Sequence, residues 1–110
     1  MKAKFRLGTL VATPGALDAL PREISKSSSV DDSNPFISRG KPSREALLDL
    51  VQRHASGDWG DLDAHDKEAN DVAVREGFRL LSAYELEGTR FWIITEADRS
   101  TTTILLPDEY

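Results

Sequence analysis

The sequence contains no cysteine, which excludes disulfide bonds, thiolate zinc sites and cysteine-based catalysis. It also lacks any run of about 20 apolar residues, the length that a membrane-spanning helix needs. The first residues, Met1 to Arg6, lead into an alternating pattern rather than into the apolar segment of a signal peptide. With 110 residues, the chain has room for one compact domain. We therefore expect a single cytoplasmic domain, residues 1–110, with no membrane contact.

Positive charge is scarce in the second half of the chain. Residues 1–57 carry a net charge of +3 and residues 58–110 a net charge of −8, which together give the −5 of the whole chain. Proteins that bind nucleic acid directly usually present a basic patch, whereas the clustered bases here are Lys2, Lys4 and Arg6 alone. The sequence therefore disfavours direct nucleic-acid binding and favours a protein partner with a basic surface. A DNA-binding regulator that presents these three bases is an alternative.

Periodicity in the first half of the chain predicts one strand and one long helix. Apolar and polar residues alternate from Lys4 to Ala12, as in a strand with one solvated face. Thr13-Pro14 then fits either the start of a short helix or an irregular turn. From Ser43, an N-cap residue, apolar residues recur at helical spacing towards Gly57, where a left-handed cap is expected.

The second half of the chain predicts another helix and then strands. Asp63 is the expected N-cap of a helix that ends at Gly77. A hairpin is expected over residues 78–95, with its turn at Glu87-Gly88, and a β-branched run from Thr101 predicts a last strand. We therefore expect an α+β fold. Its antiparallel sheet has about four strands, the first strand plus the C-terminal meander, and two to three helices cover it on one side.

Residues 21–42 interrupt this pattern. They contain six serines and three prolines and show no periodic apolar residues. We expect a mobile insertion loop here. The alternative is that Asn34-Pro35-Phe36-Ile37 anchors the segment to the domain or to a partner.

The loop 57–62 is the least generic part of the chain. Its two glycines, two aspartates and tryptophan fit a structural turn in which Trp59 fills the core. They also fit a binding loop that presents Asp58, Trp59 and Asp61. A third interpretation is a divalent-metal site in a hydrolase or nuclease-like enzyme, although its spacing matches no ligand signature, so we expect no metal and no other cofactor. The four residues of this metal alternative are His54, Asp58, Asp61 and His65.

Two polar groups are further candidates for binding. Glu96, Asp98 and Arg99 lie between the last two strands, where they fit either a local ion pair or a binding tip. The acidic stretch that begins at Asp58 fits either a solvated helix face or a surface that competes with nucleic acid for a basic groove. The candidate binding residues in this stretch are Asp58, Asp61, Asp63, Asp66 and Glu68.

Several segments of the chain resemble a known family. The segments are Leu10 to Leu17, Arg53-His54 with Gly57 to Leu62, Glu76 to Tyr84, Trp92 to Ser100, and Leu105 to Pro107. They are similar to small uncharacterised bacterial proteins that are often labelled plasmid-related and sometimes labelled type I restriction-modification subunits. The resemblance covers roughly residues 5–20 and 47–110. It implies a setting on plasmids or other mobile elements, and it implies no catalytic residue or cofactor.

These observations favour a small acidic accessory protein of plasmids or mobile elements that binds a macromolecular partner, such as a host defence or DNA-processing protein. An exposed sheet edge could also join two copies as a homodimer. The sequence does not decide whether the protein is an enzyme. It favours a binding role, because no nucleophile elbow, phosphate-binding glycine loop or dinucleotide fingerprint occurs.

Overall fold

The computed structural model describes residues 3–22 and 43–110, and this part of the chain has the α+β fold that the sequence predicts. A four-stranded sheet is combined with three helices among these residues. In chain order the elements are β1 (Thr9–Ala12), α1 (Pro14–Ala19), α2 (Arg44–Ala55), α3 (Ala64–Glu76), β2 (Leu80–Leu86), β3 (Thr89–Thr95), β4 (Thr101–Leu105) and a 3₁₀ turn (Pro107–Glu109).

The helices begin and end at the residues that the sequence predicts. The side chains of Thr13, Ser43 and Asp63 each accept a hydrogen bond from the backbone N–H three residues later. Gly77 ends α3 in the left-handed conformation, with φ of 79°. Of the two interpretations of Thr13-Pro14, the helix start is therefore correct.

The sheet has the strand order β1-β4-β3-β2 and is mixed. β2, β3 and β4 form the predicted antiparallel meander. β1 runs parallel to β4, with Thr9 opposite Thr101, and at this strand the sheet differs from the antiparallel one that we expect from the sequence. An alternating pattern encodes which side of a strand is buried, but it does not encode the direction of the strand.

β1 is also shorter than the alternation predicts, because it begins at Thr9 rather than at Lys4. Gly8 has φ of 66°, and a Cβ atom at this position would lie 2.3 Å from the Ser100 carbonyl oxygen. The glycine thus permits a backbone conformation, and a close approach to Ser100, that other residues could not adopt. The residues before it lie beside α2, where the Lys4 N–H donates to the Ala55 carbonyl at 2.7 Å.

Two groups of buried side chains form the core between the sheet and the helices. The sheet residues in both groups alternate along their strands, so they share one face. The larger group consists of Ala16, Leu20, Leu50, Val51, Tyr84, Phe91, Ile93 and Ile104. The smaller group consists of Trp59, Ala73 and Leu80, packed against the partly buried Phe5, Leu62 and Val74.

The two edges of the sheet differ. At the β2 edge, the backbone of Gly60 forms a bridge with Ala83, and the side chain of Asn70 bonds the backbone of Leu81. β1 forms the other edge, where no described residue pairs with the outer side of the strand. One edge is therefore covered by the chain itself, and the other is uncovered within the described part.

Some predictions concern residues that the structure does not describe. Apart from Pro21 and Arg22, the expected insertion 21–42 lies outside the described residues, as do its Asn34 to Ile37 segment and Lys2. Within the described ranges, no helix is long and apolar enough to cross a membrane.

Candidate functional site

Trp59 lies inside the protein. Its side chain is 3% exposed, and its indole N–H donates to Asp71 Oδ1 at 3.0 Å. The ring stacks on Phe5, with 6.1 Å between centroids, and meets the His54 ring edge-on at 5.9 Å. All of these contacts are internal, so they support the structural interpretation of Trp59.

Gly60 allows the loop 57–62 to lie against β2. Its φ is +75°, and a Cβ atom at this position would lie 1.9 Å from the Ala83 carbonyl oxygen. The Asp61 N–H donates to this same carbonyl at 2.7 Å, and the Ala83 N–H donates to the Trp59 carbonyl at 3.3 Å. A side chain at position 60 would push the loop off the strand. The loop is therefore a backbone-bonded extension of the sheet edge.

Asp58 holds the loop from its exposed side. One carboxylate oxygen accepts from Arg53 Nε at 2.8 Å, and the other accepts from the Gly60 N–H at 3.1 Å. The hydrogen bond from Arg53 is the main reason why the pKa of Asp58 lies below its ordinary value. The Tyr84 hydroxyl donates to the Asp58 carbonyl, and the Arg53 guanidinium lies 4.7 Å from the centre of the Tyr84 ring. Both carboxylate oxygens of Asp58 thus have internal partners.

A chain of hydrogen-bonded groups crosses the core beneath α2. His54 is fully buried; its Nδ1 bonds to Ser82 Oγ, and its Nε2 lies 2.8 Å from Thr95 Oγ1. Thr95 Oγ1 in turn lies 2.8 Å from Thr102 Oγ1, which donates to the Leu7 carbonyl at 2.7 Å. This buried polar chain, from Ser82 to the Leu7 carbonyl, connects one helix, three strands and the N-terminal segment.

The Leu7 carbonyl sets the direction of the hydrogen bonds from His54 to the end of the buried polar chain. Because Thr102 donates to Leu7, its oxygen accepts from the Thr95 hydroxyl. The Thr95 oxygen then accepts from Nε2–H of His54. Burial lowers the pKa of His54 to about 4, so at neutral pH Nδ1 carries no proton and accepts from the Ser82 hydroxyl. His54 is therefore the neutral tautomer protonated at Nε2.

The structure does not bring together the four residues of the metal alternative. Both ring nitrogens of His54 are engaged in the buried polar chain, and burial, with a smaller contribution from the charge of Arg99, lowers the pKa of His54 from 6.5 to about 4. Asp58 is held by internal partners, whereas Asp61 and His65 are exposed. Among the described residues, no group of three or more His, Cys, Asp or Glu side chains is arranged to hold a metal ion.

The charged residues between β3 and β4 have different partners from those expected. Arg99 has φ of 61° and donates to backbone carbonyls instead of pairing with Glu96 or Asp98. The acceptors, at 2.7 to 3.3 Å, are the carbonyls of Ala73, Phe78, Glu96 and Ala97. Glu96 lies 3.7 Å from Arg79, and Asp98 accepts from the Ser100 N–H at 3.0 Å. Arg99 therefore joins this connection to the C-terminal end of α3, where a positive charge is favourable.

The remaining acidic candidates lie at the surface. We call Asp61, Asp63, Asp66 and Glu68, which are all exposed, the acidic face. Asp63 caps α3 through a hydrogen bond from the Asp66 N–H at 2.8 Å. In the described ranges, Asp61, Asp66 and Glu68 form no ion pair. Among the described residues, the acidic face thus carries three carboxylates without a paired cation, in the first turns of α3 and in the loop before it.

Four polar residues that shape this region are not among the candidates that the sequence predicts. These residues are Asn70, Ser82, Thr95 and Thr102, all buried. For the residues on strands, the signal is the alternation of inward and outward positions. Ser82 falls between Leu80 and Tyr84 on the inward side of its strand, where an apolar residue is usual. A polar residue at an inward position needs a partner, and His54 on the apolar stripe of α2 is the matching one.

No protein-family model matches the chain, and neither a curated protein nor a solved structure matches it. The resemblance to plasmid-related proteins therefore depends on the sequence segments alone.

Proposed function

We propose that the protein binds a protein partner through the acidic face, as a small accessory protein of plasmids or mobile elements. The observation that supports this proposal is the set of exposed carboxylates on Asp61, Asp66 and Glu68, which pair with no cation in the described part of the chain. Carboxylates without an ion-pair partner are available to cations on a partner protein. Complementary charge across such an interface speeds encounter and adds specificity. The mobile-element setting rests on the sequence resemblance.

The backbone that carries the acidic face is held in place by contacts of neighbouring residues. The loop before α3 bonds to β2 through Gly60, and α3 itself is held by Asn70 and by the bond from Trp59 to Asp71. Because the backbone that carries these charges is already ordered, it loses little conformational freedom when a partner binds. This favours a partner whose basic surface is also ordered, such as the nucleic-acid groove of a host defence or DNA-processing protein.

The metal-dependent hydrolase that the sequence leaves open has less support. This function requires His54, but both ring nitrogens of His54 are hydrogen-bonded, to Ser82 and Thr95. It also requires Asp58, which is paired with Arg53. We therefore retain binding as the function that the geometry favours.

Affinity capture from a host lysate tests the proposal with a neutralised acidic face. The variant combines Asp61→Asn, Asp66→Asn and Glu68→Gln, which remove three charges without changing side-chain size. Asp63 is left intact because it caps α3. We expect the wild-type protein to retain a partner that moderate salt releases and that the variant does not retain.

The matched control neutralises three exposed carboxylates elsewhere on the surface: Glu85→Gln, Glu87→Gln and Asp108→Asn. This control changes the net charge by the same amount, so it should retain the same partner as the wild type. Equal retention by the acidic-face variant would refute the proposal, and equal loss from both variants would reduce it to an effect of net charge.

A further inference from the structure

The outer side of β1 presents backbone groups that β4 does not use. The N–H groups of Thr9 and Thr13 donate to carbonyls on the β4 side, at 2.9 and 3.0 Å. In a parallel ladder, residues that bond to the neighbouring strand alternate with residues that point away from it. The N–H and C=O groups of Leu10 and Ala12 therefore point outwards. No described residue bonds to these four groups.

Within residues 8–13, this edge lacks three of the features that usually prevent sheet edges from pairing. Natural edges are protected by charged side chains, proline or bulges. Residues 8–13 contain no charge and no proline, and the register of β1 with β4 is continuous. Leu10 and Val11, which point to opposite faces of the strand, are each 42% exposed. As far as residues 3–22 and 43–110 are concerned, the edge is thus open in its backbone and apolar in its side chains.

We propose that β1 is a strand-addition edge at which two copies of the chain pair antiparallel, about a two-fold axis at Val11. In this register, Leu10 lies opposite Ala12 of the partner subunit, and Val11 lies opposite the partner's Val11. Leu10 and Ala12 are the residues with outward backbone groups, so each such pair exchanges two hydrogen bonds. The two pairs related by the axis form four hydrogen bonds. These bonds satisfy every outward group of both copies.

The side chains of β1 also suit a second copy. Val11 meets its own copy across the axis as a non-hydrogen-bonded pair, in which the Cα atoms approach to about 4.5 Å. Leu10 lies over the small side chain of Ala12 of the partner subunit. Since residues 8–13 carry no charge, no like charges meet across the axis. A patch that complements itself in this way forms an isologous two-fold interface.

The length of β1 determines what kind of dimer this is. A pair of four-residue strands buries less area than a standard stable interface, which covers about 1,600 Å². The dimer is therefore reversible and depends on protein concentration. It is also independent of the acidic face, which lies beyond the β2 edge of the sheet.

Sedimentation velocity over a hundredfold range of protein concentration tests the proposal. Val11→Lys places two like charges at the axis, whereas Leu48→Lys makes the same change at an apolar residue of α2 that is 51% exposed. We expect the wild-type protein and the Leu48→Lys control to dimerise with the same dissociation constant, and the Val11→Lys dimer to be at least tenfold weaker. A wild-type protein that stays monomeric would overturn the proposal, and so would a Val11→Lys protein that dimerises like the control.

Amide hydrogen exchange measured by NMR tests the register without a variant. The amides of Leu10 and Ala12 should exchange several-fold more slowly at high protein concentration than at low concentration. The Val11 amide faces β4 within each copy and should show no such dependence. Exchange of Leu10 and Ala12 that does not depend on concentration would contradict the proposed pairing.

Discussion

The side chain of Asn70 bonds to the backbone of Leu81 as a neighbouring strand would. Its Nδ2 donates to the Leu81 carbonyl at 2.6 Å, and the Leu81 N–H donates to its Oδ1 at 3.2 Å. A strand residue would offer the same donor and the same acceptor at this place. The carboxamide thus continues the edge cover that the bridge between Gly60 and Ala83 begins.

Asn70→Ala should destabilise the protein by about 2 kcal/mol or more, because each polar group left unsatisfied in a buried place costs about 1–3 kcal/mol. Asn70→Asp should also destabilise it, since the donor is lost and a carboxylate then faces the Leu81 carbonyl. Urea unfolding at neutral pH measures both effects. Gln52→Ala removes an exposed amide from α2 and should cost less than about 0.5 kcal/mol. Losses from Asn70 variants no larger than this would mean that water replaces the carboxamide.

The buried polar chain predicts a loss of stability in acid. The pKa of His54 is 6.5 in the unfolded chain and about 4 in the folded protein, so between these values the unfolded state binds more protons. The free energy of unfolding should therefore fall by about 3 kcal/mol as the pH decreases from 6.5 to 4, and the His54 contribution should be constant below that. Urea unfolding at closely spaced pH values measures this slope.

His54→Gln separates this effect from the titration of carboxylates. Glutamine offers a donor and an acceptor to Ser82 and Thr95 but does not titrate. The charged and titratable neighbours, Arg99 and Tyr84, are the same in both proteins. We expect a shallower pH dependence between pH 4 and 6.5 in the variant, whatever its stability at neutral pH. Parallel curves for the two proteins would contradict the assignment of His54.

Gly60 and Gly77 form a matched pair for testing the contact between the loop and β2. Both have positive φ, so alanine carries a similar backbone cost at each position, about 1–2 kcal/mol. An added Cβ atom at Gly77 meets nothing within 4 Å, whereas at Gly60 it lies 1.9 Å from the Ala83 carbonyl oxygen. Thermal unfolding should show a substantially larger loss for Gly60→Ala. Equal losses would show that the loop moves off the strand at little cost.

Arg99→Ala should destabilise the end of α3. The guanidinium donates to four carbonyls, including that of Ala73 in the last turn of the helix, and hydrogen bonds from charged groups contribute about 1.5–3 kcal/mol each. Arg99→Lys should recover part of the loss, because one ammonium group cannot reproduce the planar fork. Arg90→Ala, at an exposed position of β3, is the control. Thermal unfolding in which Arg99→Ala and Arg90→Ala behave alike would exclude a structural role for Arg99.

Features encoded within a few neighbouring residues could be predicted from the sequence. The caps at Thr13, Ser43 and Asp63 each depend on a side chain and an N–H three residues later. The hairpin turn at Glu87-Gly88 depends on two adjacent residues with positive φ. The α+β class follows from the order of these elements.

Features that join distant residues could not be predicted in this way. The parallel pairing of Thr9 with Thr101 depends on where the chain returns to the sheet. No local sequence pattern specifies that position. The buried polar chain connects His54 to Thr95, 41 positions away. The ion pair expected for Arg99 is replaced by carbonyl contacts that include a helix distant in sequence. The binding roles of Glu96, Asp98 and the acidic face stay predictions.

The bridge at Gly60 and the carboxamide of Asn70 set a limit on how far the sheet can grow. If two copies join at β1, both outer ends of the eight-stranded sheet are β2 edges, and on each the outward backbone groups of Leu81 and Ala83 are already bonded by the same chain. A third copy could not pair with these two residues, so the β2 edges do not favour growth beyond a dimer. The protein can thus use β1 for dimerisation with little risk of fibre formation, because the β2 edge is partly covered by its own chain.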